Sequence, residues 1–128
     1  MIYLDTSVAL AQLLAEDRQP PTTLWAETLV SSRMLEYEMW TRLHARGLAR
    51  SHGEPLRELL GRVAILEVIP EVVARVFDPF PTAVRTLDAL HLASIEFLRS
   101  QGQAVRLAAY DARLNDAAKA LKIKLYPL

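Results

Sequence analysis

Met1-Ile-Tyr-Leu-Asp5 opens the chain as a short apolar run closed by an acid, and Thr6-Ser-Val-Ala-Leu-Ala-Gln-Leu-Leu14 follows at once. The first segment reads as a strand and the second, rich in alanine and leucine, as a helix. The same alternation continues outward. Pro20-Pro21 interrupts, and Pro21 or Thr22 opens a second short helix reaching about Leu29. Val30-Ser-Ser32 occupies the place of a strand before a long helical segment from Met34 to Leu48. Gly53 and Pro55 punctuate, Leu56, Leu59, Leu60 and Val63 recur at helical spacing, and Leu66-Glu-Val-Ile69 follows as a β-branched stretch. Asp78-Pro-Phe-Pro81 breaks the pattern ahead of a helix from Ala83 to Arg99, ended by Gly102. Val105-Arg-Leu-Ala-Ala-Tyr110 is again an apolar run, Ala112 to Leu121 a last helix, and Lys122-Ile-Lys-Leu-Tyr126 alternates like a final strand. Strands separated by helices predict an α/β sandwich with a mainly parallel sheet, because parallel neighbours require crossover connections. Ligands in such sheets bind beyond the carboxyl ends of the strands, and Asp5 and Asp111 both fall there.

The bulk numbers narrow the field. A chain of 128 residues with 52% apolar content suits one domain with one core, and no repeat or linker divides it. Fifteen basic residues balance fifteen acidic ones, so contact with a polyanion has to come from a local patch. The absence of cysteine excludes a disulfide framework and a thiolate zinc site and suits a reducing compartment. Val8 to Ala15 is too short for a membrane span and lacks a basic leader, so the expected address is cytoplasmic.

Three acids interrupt apolar runs. A carboxylate in apolar surroundings is costly unless a cation or hydrogen bonds hold it. Asp5 and Asp111 each precede a helix, where capping is the plain alternative to a functional role, although Val8 and Leu114 stand where a capping box needs Glu or Gln. Asp88 falls inside the expected helix, with His91 at i+3 as a structural partner. Of Glu36 and Glu38, two positions apart on a helix, only one can face a given site, and Arg42 at i+4 offers Glu38 an ordinary surface pair. His44, His52 and His91 show no ligand-like spacing.

Taken together, these residues resemble the PIN-domain family and, within it, the VapC toxins of toxin-antitoxin modules. Ile2-Tyr-Leu-Asp-Thr-Ser-Val8 looks like the family's first strand with its acid and following hydroxyls. Ser32, Glu38 and Arg42 are similar to its second motif, Thr86-Leu-Asp88-Ala-Leu-His91 to its third, and Ala109-Tyr-Asp111-Ala-Arg-Leu114 to its fourth. Ala109 departs from the pattern, since Thr or Ser is common there, and Thr6 or Ser7 is then the hydroxyl left to orient water. Asn115 or Asp116 falls at a further polar position whose occupant varies.

The resemblance implies a single PIN domain over residues 1–128, an α/β/α sandwich in which Asp5, Glu38, Asp88 and Asp111 gather Mg²⁺ or Mn²⁺ and hydrolyse RNA. Hard cations of this kind favour oxygen ligands. It further implies a homodimer and a VapB-like antitoxin. Arg85 and Arg113 are the first candidates for phosphate contacts, with Arg42, Arg46 and Arg106 behind them, and Tyr110 or Trp40 for base stacking. Two rivals stand beside this reading: a catalytically silent PIN-like module that binds RNA or protein, and a phosphoryl-transfer receiver or phosphatase. The latter folds usually carry paired acids after the first strand, where Leu4-Asp-Thr-Ser7 has one.

Overall fold

The computed structural model describes residues 1–128. Five parallel strands form one sheet: β1 (Ile2–Leu4), β2 (Leu29–Ser32), β3 (Val63–Leu66), β4 (Arg106–Ala108) and β5 (Lys124–Leu125), in spatial order β3-β2-β1-β4-β5. Six helices surround it: α1 (Thr6–Leu13), α2 (Arg33–Ala45), α3 (Ala49–Leu60), α4 (Pro70–Val76), α5 (Thr86–Ser100) and α6 (Ala112–Ala120), with a 3₁₀ turn at Thr22–Ala26. This is the expected α/β/α sandwich.

Successive residues of a strand face opposite sides, and β1 divides its side chains accordingly. Ile2 and Leu4 join the core formed with Val8 of α1, Leu35, Met39 and Leu43 of α2, and Leu56 of α3. Tyr3 joins the opposite core, with Leu92 and Ile95 of α5 and Leu114 of α6. The chain builds outward from β1 through β2 to β3, then returns to the other side of β1 with β4. The strand order therefore reverses between β1 and β4, where Leu4 pairs with Ala108 and the Asp5 amide donates to the Ala108 carbonyl at 3.0 Å. Such a reversal opens a crevice at the carboxyl edge of the sheet.

Four local expectations are corrected. Gly53 and Pro55 lie within α3 rather than before it, because buried Leu56 and Leu59 anchor a helix that starts at Ala49. Strand β3 begins at Val63, not Leu66. A helix, α4, opens on Pro70, a residue suited to a first helical position because its missing amide has no partner there. Helix α5 starts at Thr86, so Asp88 stands in its first turn, where the helix dipole favours a carboxylate.

Candidate active site

Asp5 and Asp111 extend from the ends of β1 and β4 on either side of the crevice. Both also cap helices. Asp5 Oδ2 accepts from the Ser7 amide at 3.1 Å and from Ser7 Oγ at 2.5 Å. Asp111 Oδ1 accepts from the amides of Arg113 at 2.9 Å and Leu114 at 3.2 Å. In each case capping occupies one carboxylate oxygen and leaves the other without a hydrogen bond, so capping and a role in the crevice coexist.

Glu38 approaches from α2 and Asp88 from the start of α5. A cleft of about 560 Å³ is lined by all four of these acids, together with Thr6, Ser7, Tyr110, Glu16 and the arginines 18, 42, 46 and 85. None of those arginines forms an ion pair with the acids, and the expected pairs Glu38–Arg42 and Asp88–His91 are absent. Glu38 is bound instead by His91, whose Nε2 lies 2.6 Å from Oε1. A carboxylate only accepts, so Nε2 carries the proton in this contact.

The electrostatics are those of crowded, partly dry carboxylates. Asp5 is 6% exposed. Burial raises its pKa, and the nearby Glu38 adds to the rise, against the lowering effects of His91 and Ser7. Burial likewise raises Asp88, helped by the charges of Asp111, Asp5 and Glu38. Burial alone would lower the pKa of His91, but the bond to Glu38 and the negative charge of Glu38, Asp5 and Asp88 outweigh it and raise it. His91 is thus the one titratable base in contact with these carboxylates, and no lysine or arginine is paired with them.

The donor set fits a hard divalent cation: oxygens from four carboxylates, two of them held above their ordinary range, beside a buried Thr6 Oγ1 that has no hydrogen-bond partner. As the side chains stand, no three His, Asp or Glu groups are gathered closely enough to hold one ion. A cation here has to draw the carboxylates together.

Residues 2–120 match the PIN domain family. The chain belongs to that family. It is 33% identical over 124 residues to Ribonuclease VapC46 of Mycobacterium tuberculosis, an overlap spanning 94% of this chain and 92% of that protein. To Ribonuclease VapC35 of the same species it is 29% identical over 130 residues, spanning 96% and 93% respectively.

The remaining PIN-motif positions distribute as follows. Ser7 is already committed, donating to Asp5 and accepting from the Tyr110 amide at 2.9 Å, so Thr6 has the hydroxyl that is free. Ala109 packs in the second core and does not line the cleft. Asn115 donates from its amide to the Ala109 carbonyl at 2.9 Å, while Asp116 is exposed on α6, outside the cleft. Arg85 lines the cleft, and Arg113 lines a smaller adjoining hollow with Arg85 and Asp88. Arg106 faces away, over the Tyr126 ring at 5.1 Å. Trp40 packs beside His44 and Arg57 rather than in the cleft. Sequence reasoning missed Glu16 and Arg18, which reach the rim from the loop after α1; Arg18 lies 4.5 Å from the centre of the Tyr110 ring. No periodic or motif signal marks either.

Proposed function

We propose that this chain is a metal-dependent endoribonuclease, the toxin of a toxin-antitoxin pair, which hydrolyses RNA phosphodiester bonds in the cleft formed by Asp5, Glu38, Asp88 and Asp111. The convergence of these four acids on the reversal point of the sheet carries the reading. The ribonuclease names of its two relatives add support.

Asp5 and Asp111 are the direct ligands of Mg²⁺ or Mn²⁺ in this reading, with Glu38 and Asp88 binding directly or through water. When bound, the cation supplies positive charge against the phosphate oxygens and acidifies a water for in-line attack. Thr6, whose hydroxyl is buried beside Asp5 without a partner, would orient such a water once the cation and its ligands opened that hydroxyl to the cleft. The arginines at positions 42, 46 and 85 receive backbone phosphates and fix the register of the strand, and Arg113 extends the track beyond Asp88. Tyr110 offers a ring face to an unpaired base. Attack by water leaves no covalent enzyme intermediate.

A VapB-like antitoxin that covers the acidic cleft with an arginine, a homodimeric assembly and a cytoplasmic location complete the proposal by analogy with the VapC type. No helix is long and apolar enough to cross a membrane. Co-purification with the product of a neighbouring small reading frame tests the antitoxin, and light scattering tests the dimer.

The deciding experiment compares the parent with Asp5→Ala on a mixture of structured and single-stranded RNAs, with Mg²⁺, Mn²⁺ or chelator. Cleavage only by the parent and only with metal is expected. If neither protein cuts while both bind RNA, the chain is a silent binding module.

A further inference from the structure

The four-carboxylate reading leaves one buried polar assembly unused. His91 is 1% exposed, and both of its ring nitrogens are engaged. Nδ1 lies 2.7 Å from the hydroxyl of Tyr3, which is itself fully buried and accepts from the Ser32 amide at 3.1 Å. The rings of Tyr3 and His91 meet edge to face, with centroids 5.7 Å apart. Nε2 donates to Glu38 Oε1 at 2.6 Å. One hydrogen-bonded chain thus runs from the end of β2, through β1 and α5, to a carboxylate on α2.

We propose that His91 is a positioning residue for Glu38: anchored by Tyr3, it holds one oxygen of that carboxylate so that the other is presented to the cleft, and so sets the affinity of the site for a divalent cation. The inference rests on the reading of the cleft given above. Stability alone gives little reason for such a chain, because well-packed apolar residues often replace buried polar networks at no loss. Glu38 has no second protein partner that could orient it: His91 is its only hydrogen bond, and Arg42, one turn along α2, does not pair with it. Its side chain remains 17% exposed and lines the cleft, with Oε2 free of hydrogen bonds. A long, flexible carboxylate is thereby fixed at one oxygen and available at the other. Outer hydrogen bonds of this kind typically change metal affinity or activity about 10–100-fold when removed.

The test is Mn²⁺ binding by calorimetry on the full chain, with folding followed by circular dichroism. His91→Leu removes the donor, while the Tyr3 hydroxyl keeps the Ser32 amide as a partner. Mn²⁺ affinity is expected to fall roughly 10–100-fold. His91→Gln, which offers an amide N–H near the position of Nε2, is expected to recover most of it. Two results overturn the proposal: His91→Leu folds and binds Mn²⁺ like the parent, or Gln serves no better than Leu. Asp5→Asn separates the two levels, since parental Mn²⁺ affinity in that variant defeats the cleft reading itself. Should His91→Leu fail to fold, the parent decides. The ¹⁵N resonance of His91 Nε2 is expected to shift during a Mg²⁺ titration with the midpoint of binding, and a resonance that stays fixed at saturation overturns the positioning role.

Discussion

The Ser7 hydroxyl donates to Asp5 Oδ2 at 2.5 Å and, on its other side, accepts the Tyr110 amide at 2.9 Å. One side chain therefore ties the acid at the end of β1 to the loop that carries Asp111. Ser7→Ala leaves the Tyr110 amide without its acceptor and Asp5 without a donor that favours its charged form. The expected cost is about 1–3 kcal/mol of stability, read by urea denaturation. Cleavage is expected to fall further than the unfolded fraction explains, because the two acids lose their common tether. Parental activity in a folded Ser7→Ala protein refutes the tether.

This latch shows which relationships the sequence exposes. Asp5 and Asp111 were legible because each follows an apolar strand, and strand ends in a parallel sheet share one edge. Glu38 and His91 are 53 residues apart, beyond the reach of helical spacing, so each was paired with a neighbour on its own helix. The start of β3 was hidden because Val63 also continues the helical spacing of Leu56 and Leu59. Helix α4 was hidden because its β-branched Val72 and Val73 argue locally for strand, and packing of Val72 overrides that preference. Arg18 and Glu16 reach the cleft through the path of a loop, which periodicity does not describe.

If the cleft holds a divalent cation as proposed, binding stabilises the native state by mass action. Ligand at a hundredfold excess over its Kd contributes about 2.7 kcal/mol to the native state. At a few degrees per kcal/mol for a domain of this size, Mn²⁺ or Mg²⁺ is expected to raise Tm by roughly 10 °C over chelator. Asp5→Asn is expected to abolish the shift while raising the metal-free Tm, since it removes a charge that burial opposes. Equal melting of the parent with and without metal, in differential scanning fluorimetry, counts against the cation site.

The pH dependence in chelator follows from three shifts of one sign. Asp5, Asp88 and His91 all have raised pKa values, so the folded state holds more protons than the unfolded state above the ordinary value of each group. Their contribution is fully present below about pH 3.8 for the two aspartates and below about pH 6.5 for the histidine. It is lost as pH rises through the raised values. The exposed Glu67, lowered by its bond to Arg33, runs the other way, below its ordinary 4.5, and solvent screens it. Denaturation midpoints in chelator are therefore expected to decline from pH 5 to pH 8. Saturating metal, which stabilises the ionised aspartates, is expected to flatten the decline, and a rise with pH in chelator contradicts the assignment.

The arginines give the RNA reading its sharpest discrimination, because residues of the same type face different surroundings. Arg42, Arg46 and Arg85 line the cleft without ion pairs, whereas Arg106 lies over Tyr126 away from it. A phosphate contact to single-stranded RNA contributes about 0.7 to the slope of log affinity against log salt. Each of Arg42→Ala, Arg46→Ala and Arg85→Ala, made on an Asp5→Asn background to prevent cutting, is expected to weaken binding and reduce that slope by about this amount. Arg113→Ala is expected to show a smaller change, from the margin of the track. Arg106→Ala is expected to leave the slope alone. Net charge cannot produce this pattern, since each substitution removes one positive charge; only the path of the strand across the cleft separates them. Fluorescence anisotropy of a labelled oligonucleotide over a salt series makes the comparison, and equal effects at all five positions reduce RNA binding to diffuse electrostatics.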